Sequence, residues 1–191
     1  MDAQSVDHIL KNVVLGKHFD IILGEDFMKK KVVKKLVKKK IAMFGAGCFW
    51  GVEEAFRVVP GVSTEVGYAG GDKKDATYED VCNGYTGHAE VARITYDPKK
   101  IKYEKLVNIF WNIHDPTQMN RQGPDVGSQY RSAIFYFDKI QKKQAEKSLK
   151  EEQKKHSRVI ATVIKKATTY CKAEDYHQKY IMKGGKAACY V

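Results

Sequence analysis

No run of about 18 apolar residues occurs in the 191-residue chain, so no helix of this sequence reads as a bilayer span. Cysteine is scarce. The four thiols are Cys48, Cys82, Cys171 and Cys189, and none forms a Cys-x-x-Cys pair. Scattered this thinly, they exclude a disulfide framework. Cys82 and His88 share a spacing with Cys171 and His177, but five intervening residues do not suit close metal ligands, so no metal is expected. Met1–Leu15 carries Asp2, Asp7 and His8 and lacks the apolar core and cleavage site of a secretory signal. Acidic residues are absent from Lys29–Lys40, which holds eight lysines and supplies most of the net charge of +11. The basic excess is therefore local, which argues against a whole-domain surface built for nucleic acid. A chain that is 43% apolar is not disordered overall and can bury a core. A soluble, cytoplasmic protein is expected.

Val6, Ile9, Leu10, Val13 and Val14 sit at helical spacing within Met1–Met28. In Lys29–Lys40, Val32, Val33, Leu36 and Val37 give one narrow apolar stripe, consistent with an anionic-surface helix, with a nuclear-localisation-like signal or with a solvated basic lead-in, the simplest of the three. Periodicity then predicts a strand over Ile41–Phe44, a helix over Val52–Val58 stopped by Pro60-Gly61, and strands over Val62–Tyr68 and Ala89–Tyr96. A helix over Tyr103–Ile113, a strand over Ser132–Phe137, a charged surface helix over Lys139–Lys155 and a strand over Val159–Ile164 follow. After Thr168 the chain reads as irregular. Few helices and several consecutive strands favour an α+β two-layer sandwich over a doubly wound sheet.

Gly45-Ala46-Gly47-Cys48-Phe49-Trp50-Gly51 lies between a predicted strand and a predicted helix. Cys48 therefore falls at a helix N-terminus, where unpaired N–H groups and the helix dipole favour a thiolate and raise its reactivity. A buried cysteine in a glycine turn is the alternative. The glycine spacing also resembles a loosened dinucleotide fingerprint, but Phe49 and Trp50 occupy the place where a pyrophosphate needs small residues. These two aromatics either pack in the core or form a wall that holds a small apolar group beside the sulfur. Glu90, between Ala89 and Val91, is either a desolvated carboxyl able to hold a proton near neutral pH or an exposed strand residue paired with Arg93. Tyr68, Tyr130 and Asp125 lie in polar, turn-rich segments. The phenols of Tyr68 and Tyr130 either bind a polar oxygen or cap a core edge.

Taken together, these segments resemble the peptide methionine sulfoxide reductases of the A type, which act on the S epimer. The matching pieces are GAGCFWGVE at Gly45–Glu53, PGV at Pro60–Val62, GYAGG at Gly67–Gly71, TGHAE at Thr86–Glu90, FWNIHDPTQMNRQGPDVGSQYRS at Phe110–Ser132 and AEDYHQKY at Ala173–Tyr180. They occur in family order from about Ile41 to Tyr180. The resemblance implies a ferredoxin-like core of mixed sheet with helices on one side and an extended C-terminal coil. It implies that Cys48 is the nucleophile, Phe49 and Trp50 the methyl pocket, and Glu90 the acid for the sulfoxide oxygen. Tyr68 and Tyr130 match hydroxyls that bind that oxygen, and Asp125 a polar partner in the same pocket. It also implies a resolving cysteine, here Cys189 in the tail with Cys171 as the alternative, and a dithiol reductant such as thioredoxin with no bound cofactor. The expected protein is a monomer without a specific nucleic-acid partner. Residues 1–40 would form a partly helical, Lys-rich extension, and residues 41–191 the catalytic domain, its tail flexible from about residue 181. A second function class, a module that binds nucleic acid or membrane through Lys29–Lys40, is opposed by the intact Cys48, Glu90 and both tyrosines.

Overall fold

The computed structural model of the chain describes residues 38–186. The expected helix over Val6–Val14, nearly all of the Lys29–Lys40 run and Cys189 lie outside the described residues.

The apolar run after Lys40 becomes β1 (Lys40–Gly45), and the chain turns into α1 (Phe49–Arg57). Then come β2 (Val62–Ala69), the short α2 (Tyr78–Cys82), β3 (Ala89–Tyr96) and α3 (Tyr103–Asn112). A small hairpin follows, of β4 (Arg121–Gln122) and β5 (Asp125–Val126), and leads through a 3-10 turn at Ser128–Tyr130 into β6 (Ala133–Tyr136). The chain closes with α4 (Lys139–Gln153), β7 (Val163–Lys166) and β8 (Tyr170–Lys172).

Six strands form one mixed sheet in the order β7-β6-β1-β3-β2-β8. Its inner four, β6-β1-β3-β2, are antiparallel neighbours, and α1 and α3 supply the crossovers. That is the ferredoxin-like arrangement. β7 adds in parallel to β6, and β8 adds antiparallel to β2. Strand alternation separates two faces. Ala42, Phe44, Ala92, Ile94 and Ile134 pack against Val52 and Phe56 of α1, Leu106, Val107, Phe110 and Trp111 of α3 and Ala145 of α4. Met43, Val91, Ala133 and Phe135 point to the other face, beneath Val163, Ala167 and Tyr170.

α3 takes its place because Tyr103, Leu106, Val107, Phe110 and Trp111 fall on one stripe. α4 has no such stripe. It is started instead by Asp138, whose carboxylate accepts the Gln141 N–H at 2.8 Å, and docked by Gln141, which donates to the Ile41 carbonyl at 2.7 Å. The segment after Thr168, expected to be irregular, contributes β8 at the sheet edge, because Gly67, Tyr68 and Ala69 offer it an open backbone ladder.

Candidate active site

β1 ends at Gly45, and the chain must reverse before α1 can start. Gly47 makes the turn at φ +95°, and a Cβ there would stand 2.8 Å from the Gln122 side chain. This close approach brings the β4–β5 hairpin against the turn. Cys48 then occupies the N-cap of α1, half-buried, and its carbonyl accepts the Val52 N–H at 3.4 Å.

Glu90 stands on β3 opposite Tyr68 of β2 and is 2% exposed. It accepts the Phe49 N–H at 2.9 Å, which fixes its carboxyl beside the residue that follows Cys48. Burial pushes its pKa up to about 8, and the nearby Asp125 charge adds to the rise. The carboxyl is therefore mostly protonated at neutral pH. The alternative pairing with Arg93 does not occur, because Arg93 reaches Glu65 at 3.2 Å on the other face of the sheet.

Asp125 and Tyr130 approach Glu90 from the hairpin and the 3-10 turn. The turn is pinned by Arg131, which donates to the Ser128 carbonyl at 2.8 Å and the Gly87 carbonyl at 2.9 Å. Burial raises the Tyr130 pKa, and Glu90, Tyr78 and Asp125 act on it in the same direction. Phe49 is 1% exposed and packs on Tyr68 at 5.7 Å between ring centres. Trp50 is half-buried, stacked on Tyr180 at 3.9 Å, and donates its indole N–H to His177 Nδ1 at 3.0 Å.

Tyr68 is fully buried and its hydroxyl donates to Glu174 at 2.8 Å. A further phenol, Tyr78 of α2, lies within reach of the charges of both Glu90 and Cys48. Its pKa is raised by burial, by a hydrogen bond with Cys82 and by the charges of Glu90 and Cys48. Sequence reasoning missed it. The available signal was Thr77–Asp80, a capping box that starts a helix and so fixes the direction of the next side chain. Cys82 is exposed and shares a hydrogen bond with Tyr78. Glu174 and His177 were also missed as site residues. They come from the AEDYHQKY segment, which carries no local signature of its partners.

Cys171 is buried on β8, paired with Tyr68. Its sulfur accepts the Ala76 N–H at 3.4 Å and lies 3.7 Å from the Lys73 carbonyl, so it holds the loop before α2. His88 serves the same loop: it accepts the Gly71 N–H at 3.2 Å through Nδ1 and donates to the Lys73 carbonyl at 2.7 Å through Nε2. Among the described residues, no group of three or more His, Cys, Asp or Glu side chains is arranged to hold a metal ion, and no helix is long and apolar enough to cross a membrane.

The arrangement is a half-buried thiol at a helix start, a protonated carboxylic acid beside it, two phenols and an aromatic wall. Residues 40–191 match the family model described as peptide methionine sulfoxide reductase. The peptide methionine sulfoxide reductase MsrA of Methanothermobacter thermautotrophicus is 54% identical over 153 residues, which covers 78% of this chain and 90% of that protein. The reduced form of Mxr1 from Saccharomyces cerevisiae superposes with a TM-score of 0.76 at 40% identity, covering 79% of this chain and 89% of that one. Mxr1 in complex with Trx2 gives 0.54 at 30% identity, covering 74% and 84%. The chain belongs to the peptide methionine sulfoxide reductase family.

Proposed function

We propose that this reductase acts on the S epimer of methionine sulfoxide, free or within oxidised proteins, through Cys48. Sulfoxide oxygen is a good acceptor and a poor leaving group. Attack of the Cys48 sulfur on the substrate sulfur needs a proton delivered to that oxygen as the S–O bond breaks. Glu90 supplies it, and Tyr78, Tyr130 and Asp125 complete the polar side of the site. Tyr68 acts from behind, through Glu174. Phe49 and Trp50 hold the S-methyl group.

Oxygen transfer leaves methionine and the Cys48 sulfenic acid. The sulfenic acid condenses with a second thiol, releasing water and forming a disulfide. Cys189 is the resolving thiol. It lies four residues after Gly185 in the sequence, and the turn that precedes Gly185 is anchored to the site by the stacking of Tyr180 on Trp50 at 3.9 Å. Cys171, the alternative, is 8% exposed and committed to the 73–76 loop. A dithiol protein of the thioredoxin type then reduces the disulfide, a role supported by the yeast relative captured with Trx2.

The protein is a monomer of the cytoplasm, with residues 41–191 as the catalytic domain and residues 1–40 as a Lys-rich extension that has no specific nucleic-acid partner. The single observation that carries this reading is the buried, protonated Glu90 bonded to the backbone next to Cys48.

The test is to treat fully reduced protein with the S sulfoxide and no reductant, count thiols and map disulfides by peptide mass. Methionine release with a Cys48–Cys189 bond is expected, and Cys48→Ser should release none. A Cys48–Cys171 bond would correct the resolver. Four intact thiols with no methionine formed would overturn the reading.

A further inference from the structure

One buried titratable ring near the site makes a hydrogen bond that the chemistry above does not use. His177 is 1% exposed, and its Nδ1 accepts the Trp50 indole N–H at 3.0 Å. Because Nδ1 accepts, the proton of the neutral ring sits on Nε2. Nε2 is buried with no hydrogen-bond partner. The nearest carboxylate oxygen, on Glu174, is 3.9 Å away, beyond hydrogen-bond reach. Glu174 is already occupied by the Tyr68 hydroxyl at 2.8 Å and the Tyr78 N–H at 2.9 Å.

The other neighbours of the ring are aromatic: Phe49 at 5.0 Å, Tyr78 at 4.7 Å and Tyr176 at 4.1 Å between ring centres. An apolar ring would suit such a box better, since a buried N–H left unpaired is costly. What an imidazole adds, and Phe or Leu cannot, is an acceptor for Trp50. Tyr180 stacks on the face of the indole at 3.9 Å with planes 14° apart, while His177 holds its N–H edge. Together they constrain the tilt and the in-plane rotation of a ring two residues along the chain from Cys48.

We propose that His177 is a positioning residue which, by accepting the Trp50 N–H, sets the plane of the aromatic wall that grips the S-methyl group, and so sets substrate affinity. The proposal rests on the role given above to Trp50.

His177→Phe should raise KM for the S sulfoxide by about tenfold while kcat moves less than about threefold. His177→Asn, whose amide oxygen can take the place of Nδ1, should restore KM to within about threefold of the parent value. In the 15N-labelled protein, a coupling between Trp50 Nε1 and His177 Nδ1 across the hydrogen bond should be detectable. That measurement needs no variant and stands even if His177→Phe fails to fold. Trp50→Ala serves as the reference. If it raises KM and His177→Phe does not, the positioning role is wrong and the wall survives. If Trp50→Ala leaves KM unchanged, the wall and the proposal fall together. Equal losses in His177→Phe and His177→Asn, or no coupling in the parent protein, would also overturn the proposal.

Discussion

Glu90 serves as an acid only while it holds a proton, and its burial keeps that proton in place up to about pH 8. The sulfenic-acid step, followed in single turnover, should therefore slow as pH rises through 8 and approach a tenfold loss per unit beyond it. Glu90→Gln should slow the same step by about one to three orders of magnitude at neutral pH and abolish this limb of the profile. An unchanged single-turnover rate would remove Glu90 from the acid role. The two phenols can be separated in the same assay. Tyr68 donates its hydroxyl to Glu174, whereas Tyr78 is a neutral phenol within reach of the charges of both Glu90 and Cys48. Tyr78→Phe should cost about tenfold or more and Tyr68→Phe several-fold less; the reverse order would return Tyr68 to the front of the site. At this scale the sequence was legible where chemistry is local. The Gly-Ala-Gly-Cys-Phe-Trp run announces a sulfur at a helix start beside an aromatic pair, and that is where Cys48, Phe49 and Trp50 stand. It was not legible that Tyr78 would come near Cys48 and Glu90 as well as Tyr68, because side chains on β2 and α2 meet only after the sheet has formed.

The elements divide in the same way. β3 was readable to its ends, Ala89 and Tyr96, because an apolar run is bracketed by Gly87 and by Asp97-Pro98. α3 was readable because five buried side chains repeat on one stripe. The five-residue α2, the two-residue strands of the hairpin and the three-residue β8 fall below the length at which periodicity means anything. These short pieces nevertheless carry Tyr78, Asp125 and Cys171, so their placement by longer neighbours decides the site. One such placement depends on Gly71. A Cβ there would stand 2.1 Å from the Thr86 carbonyl oxygen and 2.5 Å from the His88 nitrogen, both backbone atoms at the entry to β3. Gly71→Ala should cost about 2–4 kcal/mol in urea unfolding and lower activity by displacing the strand that carries Glu90. Gly84 is the control. Its φ is +79° but nothing lies within 4 Å of its Cβ position. Gly84→Ala should cost only about 1 kcal/mol of backbone strain and leave turnover intact. Equal costs at the two sites would mean that the packing of the loop on β3 is soft.

For the molecule as a whole, stability against pH is set by buried groups that pull in opposite directions. Burial lowers the pKa of His114 to about 4. Its Nδ1–H donates to the Phe110 carbonyl at 2.7 Å, and Nε2 meets the Ser132 hydroxyl at 2.7 Å, which in turn meets Thr162 at 2.6 Å. The ring thus joins the end of α3 to the sheet through a chain of bonds that its neutral form completes. Between about pH 6.5 and 4 the unfolded chain binds a proton that the folded chain refuses, so this group makes stability fall as pH falls. Glu90 does the opposite. The folded chain keeps a proton up to about pH 8 that the unfolded chain loses near 4.5, so its contribution declines as pH rises over that span. Glu53, raised mainly by burial, reinforces the Glu90 slope, and His177, lowered mainly by burial, reinforces the His114 slope. In the interval common to both, about pH 4.5 to 6.5, the parent protein should show a nearly flat urea midpoint. His114→Gln, whose amide can both donate and accept, should expose a midpoint that falls as pH rises there. Glu90→Gln should expose one that rises. Each slope should amount to about 2 kcal/mol across the interval. If both variants stay flat, the buried protons are not where their surroundings place them, and the acid role of Glu90 loses its thermodynamic basis along with the stability argument.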